Sequence, residues 1–132
     1  MKEVLKINLL KGFSRTNELK KSIVSILKPI CEKVYYRKAH NKVAYPYITY
    51  FLKHTKDEHE YDYFFEIHIW TRDIKLAEEI ADEVEELDGC GYRNEYHSFD
   101  LDLESRNNLE DEDKELQHIV LLFNLTYFSA KG

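Results

Sequence analysis

The chain has 132 residues, of which 43% are hydrophobic and 33% are charged, and its formal net charge is −6 at pH 7. This length and balance are typical of one globular domain and exclude an intrinsically disordered chain. The negative charge argues against non-specific binding to a nucleic-acid backbone and against docking on an anionic membrane.

The first residues carry the weakest pattern. Lys6 and Asn8 interrupt the apolar residues of Met1–Leu10, so this stretch does not resemble a secretory signal. No apolar run approaches the roughly 20 residues that a membrane-spanning helix needs. We therefore interpret residues 1–13 as a short helix or an arm at the start of a single domain over residues 1–132.

A first helix is predicted over Thr16–Glu32. Apolar residues recur there at steps of three and four, which places them on one helix face: Leu19, Ile23, Ile26, Leu27 and Ile30. Pro29 predicts a kink or an end of the helix, because a proline ring clashes with the preceding turn.

Three strands are predicted next, at Val34–Lys38, Tyr47–Lys53 and Glu60–Thr71. Pro46 precedes the second strand, a position that a sheet tolerates. The third strand alternates strictly: one face carries Tyr61, Tyr63, Phe65, Ile67 and Ile69, and the other carries Asp62, Phe64, Glu66, His68 and Trp70. Such alternation predicts a sheet with one well-buried face.

A second helix follows Asp73, which is a favourable N-cap, and is expected to stop near Gly89. Its apolar stripe consists of Leu76, Ala77, Ile80, Ala81, Val84 and Leu87. Two more strands are predicted at Tyr96–Glu104 and Glu115–Phe128, joined by an acidic loop over residues 105–114.

The predicted order is therefore α-β-β-β-α-β-β. It indicates an α+β domain, in which an antiparallel or mixed sheet of about five strands is covered on one face by two helices. The strand pairs are joined by short links, which favours antiparallel neighbours.

No pattern for nucleophilic catalysis is present. None of the serines lies in a Gly-x-Ser-x-Gly elbow, and four glycines at 12, 89, 91 and 132 build no phosphate-binding loop. Cys31 and Cys90 lie far apart and form no CxxC pair, so we expect two reduced thiols in an intracellular protein. The sequence thus predicts neither an enzyme nor a cofactor.

Histidines provide the sharpest metal hypothesis. His68, His97 and His118 each fall on a predicted strand and would form a site if they converged across the sheet. The alternative is that they are ordinary strand residues, which the sequence favours because no His-x-x-x-His or Cys/His cluster accompanies them.

Charge is unevenly distributed along the chain. Basic residues outnumber acids near the N-terminus, whereas the centre and the C-terminal half are acidic, with four successive acids at Glu110, Asp111, Glu112 and Asp113. These four lack the spacing and the glycine of a calcium loop. The asymmetry is able to bring basic and acidic surfaces of neighbouring copies together, head to tail, or to give the N-terminal half a weak nucleic-acid surface.

Several short segments resemble one family in their order and spacing. A strand opens on Tyr45-Pro46-Tyr47-Ile48, another ends at Ile67-His68-Ile69-Trp70-Thr71-Arg72 and leads into the helix Ala77–Val84, which closes at Leu87-Asp88-Gly89; a hairpin ends at Phe123–Phe128. In these respects the chain, from about Leu19 to Phe128, resembles the tail-terminator or tail-completion proteins of long-tailed bacteriophages and prophages. Residues 1–13 and the long acidic loop depart from that pattern.

The resemblance implies a structural role in virion assembly without catalytic residues. Such proteins close the finished tail tube as a ring, usually a hexamer, stop tube growth and provide the surface that joins tail to head. The implied partners are other copies of the chain, the tail tube protein and a head-completion or connector protein. DNA would pass through the lumen without specific binding, and an acidic lining would let it slide.

The resemblance also implies a place in the virion, at the head-proximal end of the tail, and in the bacterial host cytoplasm during assembly. Residues 110–113 are the candidate lumen or subunit-interface loop. Two alternatives remain at this point: a small-ligand or regulatory binding module, and a metalloenzyme that depends on the three histidines.

Overall fold

A computed structural model describes residues 14–56 and 61–129, so residues 1–13, interpreted above as a short helix or an arm, lie outside the described part. The helices are α1 (Arg15–Leu27) and α2 (Ile74–Glu85). The strands are β1 (Val34–Tyr36), β2 (Tyr47–Lys56), β3 (Tyr61–Thr71), β4 (Gly91–Arg93), β5 (His97–Leu109) and β6 (Gln117–Ser129).

One six-stranded sheet has the order β1-β2-β3-β6-β5-β4. Only β1 and β2 run parallel; the other neighbours are antiparallel. The α+β class, the two helices and a mixed sheet are confirmed, but the sheet has six strands rather than about five. The missing strand is β4, whose three residues are too few to produce an alternation that a sequence reader would recognise.

The four long strands divide their side chains between two faces, as alternation requires. The inner face, towards the helices, buries for example Ile67, Phe65, Leu121, Phe123 and Leu101. The outer face carries the second set predicted for β3, from Asp62 to Trp70, together with the even-numbered residues of β6 that oppose it in register. The helices therefore cover one face, which matches the predicted layering.

Helix α1 begins at the Ser14 cap, whose hydroxyl accepts a hydrogen bond from the Asn17 amide over 3.3 Å. It ends at Leu27, five residues before the predicted Glu32, because Pro29 has no amide hydrogen with which to continue the helix. Leu19, Ile23 and Leu27 are fully buried against the sheet.

Helix α2 begins as predicted at Asp73, whose carboxylate accepts from the amides of Lys75 and Leu76 at 3.0 and 3.2 Å. Its buried side chains are Ala77, Ile80, Ala81 and Val84. Gly89 follows the helix with φ of 76°, a conformation that favours glycine.

A bulge in β5 changes which side chains point at α2. Leu103 opposes Phe123, but Ser105 opposes Leu122, so Glu104 is an extra residue in the strand. As a result, Arg106 lies on the inner face, although uninterrupted alternation would put it on the outer one. Its guanidinium contacts Glu78 and lies 2.7 Å from Asp82 and 3.2 Å from Glu85.

The same strand corrects the predicted loop. Strand β5 continues to Leu109, so residues 105–109 belong to the sheet and only the remainder of the 105–114 segment connects it to β6. Residues 105–108 are polar on both faces, since Arg106 and Asn108 contact the acidic side of α2 instead of an apolar core.

We predict that Arg106→Met lowers the free energy of unfolding by about 1.5–3 kcal/mol, the range for hydrogen bonds to charged groups. The substitution keeps most of the side-chain volume but leaves three carboxylates of α2 without their shared cation. Urea unfolding followed by circular dichroism measures the change.

Lys75→Met is the matched control, since Lys75 meets Glu79 at 4.0 Å on the exposed side of the same helix. Exposed pairs of this kind contribute at most about 0.5 kcal/mol. Equal losses in the two variants would contradict a special role for the bulge.

Candidate interaction surfaces

The outer face of the sheet has no helix over it in the described part of the chain. It leaves large apolar side chains in solvent: Phe64 is 48% exposed, Phe128 39% and Leu122 36%. Carboxylates lie on the same face, namely Asp62 and Glu66 on β3 and Asp100, Asp102 and Glu104 on β5. A shallow cleft of about 430 Å³ lies among Lys53, Phe64, Glu66, Glu104, Leu122 and Asn124.

A row of rings crosses this face near the start of β2. Tyr45 stacks on Tyr47 with ring centres 5.4 Å apart, Tyr47 lies 6.2 Å from Trp70, and Trp70 stacks on His118 at 3.7 Å. His68 completes the row, 5.0 Å from His118. We call these five residues the aromatic–histidine row; it is rigid because each ring packs on the next.

Hydrogen bonds fix the polar end of the row. His68 Nδ1 lies 2.7 Å from His118 Nε2, and His68 Nε2 lies 3.1 Å from Glu66 Oε1. The neutral arrangement that satisfies both contacts has His118 Nε2–H donating to His68 and His68 Nε2–H donating to Glu66. Trp70 Nε1–H donates to the Thr49 hydroxyl over 3.0 Å.

This arrangement disfavours a charge on His118. Burial, and then the nearby His68, lower the pKa of His118 to about 4. Desolvation penalises the charged imidazolium, and a second imidazole at hydrogen-bond distance adds repulsion if both are protonated. His118 is therefore neutral at physiological pH and holds the row by hydrogen bonding and stacking.

The three histidines of the metal hypothesis do not converge. His68 and His118 meet on the outer face, but His97 lies on the inner face, where its Nε2 is 2.9 Å from the Ser22 hydroxyl and its Nδ1 3.3 Å from the Tyr127 hydroxyl. The reason is register: the neighbour of His97 on β5, Phe99, opposes Tyr127 within the core. Burial lowers the pKa of His97.

Within residues 14–56 and 61–129, no group of three or more His, Cys, Asp or Glu side chains is placed to hold a metal ion. Cys31 is buried and Cys90 is exposed, and both are free thiols. None of the helices in the described ranges is long and apolar enough to cross a membrane.

The acidic loop at Glu110, Asp111, Glu112 and Asp113 follows β5 at the same end of the sheet as the start of α2. Asp113 is the anchored member: Arg72 lies 2.5 Å from its Oδ2, and the hydrogen bond from Arg72 lowers the pKa of Asp113. Asp111 accepts from the Asp113 amide over 3.0 Å, whereas Glu110 is 92% exposed beside Lys114. The loop is thus tied at one end, and it presents Glu110 and Glu112 to solvent.

Two parts of this surface are absent from the sequence prediction. The aromatic–histidine row joins residues from three strands. Its sequence signal is weak: alternation along each strand places Tyr47, Trp70 and His118 on the same, outward face once the strands are aligned. Arg72 was visible as the residue after a strand, but its pairing with Asp113 depends on how β3 and β6 align.

Comparisons with known proteins give a likeness among solved structures. No protein-family description matches the chain, and no curated protein matches it. Among solved structures, a chain of the "Virion of native gene transfer agent (GTA) particle" superposes with a TM-score of 0.60 at 16% sequence identity. The likeness covers 78% of this chain and 84% of that chain, so the two share a fold over most of their length.

We predict that His118 titrates near pH 4 in the folded protein, and that stability falls as the pH drops from about 6.5, the ordinary value, towards 4. In this window the unfolded chain binds a proton at residue 118 that the folded chain does not, so acid favours unfolding. Proton NMR of the histidine ring, with urea melts across the same pH range, measures both effects.

His118→Phe keeps a ring on Trp70 but has no titration, so its stability should depend less on pH in this window. A folded-state midpoint near 6.5 for His118 in the parent protein would contradict the proposed desolvation.

Proposed function

We propose that the chain is a structural virion protein that caps the completed tail tube of a phage-like particle as a ring. In this role it stops tube polymerisation and presents the surface to which the head attaches. The observation that carries the proposal is the shared fold with a chain of a gene transfer agent virion over most of both chains. The order of sequence segments that resembles the tail-terminator family supports the same assignment.

The surfaces of the chain fit an assembly protein better than a catalyst. The outer sheet face combines exposed Phe64, Leu122 and Phe128 with a series of carboxylates, which suits contact with other proteins. Its aromatic–histidine row is held by internal stacking contacts, and Tyr45 at the end of the row is 38% exposed.

The distribution of charge suits a channel for DNA. Asp62, Glu66, Asp100, Asp102 and Glu104 lie on one face, where the described strands place two cations, Lys53 and Arg93. Such a face repels phosphates, so DNA would pass a ring that exposed it to the lumen without sticking. The proposed partners are further copies of the chain, the tube protein and a head connector.

We predict that light scattering gives a molecular mass of about six copies of the chain, unchanged over a wide concentration range, since closed cyclic assemblies resist dilution. Electron microscopy of tail tubes mixed with the protein should show density at one tube end and tubes that no longer elongate. A chain that stays monomeric and leaves tube growth unchanged would contradict the proposed function.

A further inference from the structure

Two stretches of strand lack a neighbour in the described part of the sheet. On one side, β1 pairs only with Ile48–Tyr50, which leaves Phe51–Lys56 of β2 uncovered. On the other side, β4 pairs only with Ser98–Asp100, and contacts from Asp88, Gly89 and Cys90 extend that cover to Leu103. We call Phe51–Lys56 the β2 step and Glu104–Leu109 the β5 step.

Within the described residues, each step has backbone groups on its open side that no neighbouring strand pairs. The Tyr50 carbonyl accepts from Arg37 on the β1 side, so by alternation Leu52 and His54 point the same way. On β5 the Leu101 and Leu103 amides point to the β4 side, and the bulge then directs Arg106 and Asn108 to that side. Among the described residues, one hydrogen bond reaches the β2 step there, over 3.4 Å from the Tyr36 hydroxyl to the Leu52 carbonyl.

The strand directions permit a second copy to fill these gaps without being turned over. From β2 to β3, β6 and β5 each neighbour is antiparallel, so β2 and β5 run in opposite directions. The β2 of a second copy, placed beside β5 in the same orientation, continues the antiparallel alternation. Its helices then lie on the same side of the joined sheet.

We propose that copies of this chain associate head to tail by antiparallel pairing of the β2 step of one copy with the β5 step of the next. The occupant of each open edge is therefore a second copy of the chain. In this pairing, residues whose backbone groups face the edge oppose each other, and inner-face residues oppose inner-face residues. Both conditions are met when Leu52 lies opposite Asn108 and His54 lies opposite Arg106. On the outer face, Phe51 then meets Leu109, which is 46% exposed in the single chain.

The stepped outline of the sheet fits this register. The two uncovered stretches lie towards opposite ends of the strands, so pairing them offsets the second copy along the strand direction. The neighbour's β1 then extends past Leu109, while β4 stays at the other end of β5 and does not collide with it. The short outer strands thus act as stops that define one register.

Charges are complementary where the two copies meet in the proposed pairing, which we call the joint. Residues 33–38, which include β1, carry Lys33, Arg37 and Lys38 and no acid; Glu32 precedes them. The Arg37 guanidinium lies over Phe51 with its carbon 4.6 Å from the ring centre. In the proposed register this segment of one copy adjoins the acidic loop of the next, where Glu110 and Glu112 face solvent. Opposite charges at the rim favour the correct pairing over others.

A disulfide scan tests the pairing directly. In the proposed register Lys53 and Asn107 form a non-hydrogen-bonded pair, with Cα atoms about 4.5 Å apart, which suits a disulfide. Both side chains are exposed, and within one chain they lie on strands separated by two others, roughly 14 Å apart. Lys53→Cys with Asn107→Cys, in a Cys90→Ser background, should therefore link different copies only.

The expected result is a ladder of oxidised multimers on a non-reducing gel, about ten-fold above the single-cysteine variants, which can form only dimers. Lys53→Cys with Asp100→Cys is the matched control, because Asp100 lies on the part of β5 that β4 already covers. Absence of a ladder from the first pair, with and without tail tubes, or equal ladders from both pairs, would overturn the proposal.

A charge exchange provides an independent readout. Arg37→Glu should weaken association about ten-fold, and adding Glu110→Arg should restore it. Arg37 has φ of 69°, a conformation that costs Glu and Arg the same backbone energy. The substitution is therefore expected to leave the backbone contribution to the stability of the folded chain unchanged. Loss of association that the second change does not restore would count against the joint.

This inference rests on self-association, which the proposed function shares, but the two fail separately. A ladder with no effect on tube growth leaves the joint standing and removes the tail-capping role. Capped tubes without the specific ladder support the tail-capping role and rule out the pairing of the β2 step with the β5 step.

Discussion

The antiparallel pairing of β3 with β6 is the constraint on which the rest of the molecule depends. Ile67 and Ile69 oppose Leu121 and Ile119, and all four are essentially inaccessible to water. A slip by one residue would turn Glu66 and His68 into the core and the isoleucines to solvent, which makes the register highly specific. Both helices, the outer polar face and the aromatic–histidine row take their positions from this pair.

The bulge at Glu104 is the second feature that determines the structure, because it lets one strand contribute apolar side chains to the core at one end and polar contacts to a helix at the other. Before the bulge, Phe99 and Leu101 add to the apolar core; after it, Arg106 and Asn108 engage the acidic side of α2. Three acids of α2, Asp82, Glu83 and Glu85, lie in its last turn, where the helix dipole disfavours them. The guanidinium of Arg106 offsets that repulsion, which explains why an otherwise unfavourable run of carboxylates is tolerated.

Much of this fold follows from local patterns, and what does not is non-local. Alternation in β3 and the stripe of α2 predicted their faces correctly, and Asp73 marked a helix start. The length of β5 did not follow, since residues 105–109 read as polar loop until their partner, β6, and the acids of α2 are known. The histidines show the same limit. Alternation assigns each of them to a face of the sheet only once the strand register is known, and the register places His97 on the opposite face from His68 and His118. The candidate acidic loop was located from its charges, but its attachment through Arg72 required the alignment of β3 and β6.

The aromatic–histidine row also supplies the protein with an internal optical probe. Trp70 is the only tryptophan in the chain, and His118 is stacked 3.7 Å from it on a face that no described helix covers. A protonated imidazole in contact with an indole quenches its fluorescence, whereas a neutral one does so much less. The emission of this single side chain therefore reports the state of the outer sheet face, without a label and in a mixture with any partner whose own tryptophans are replaced.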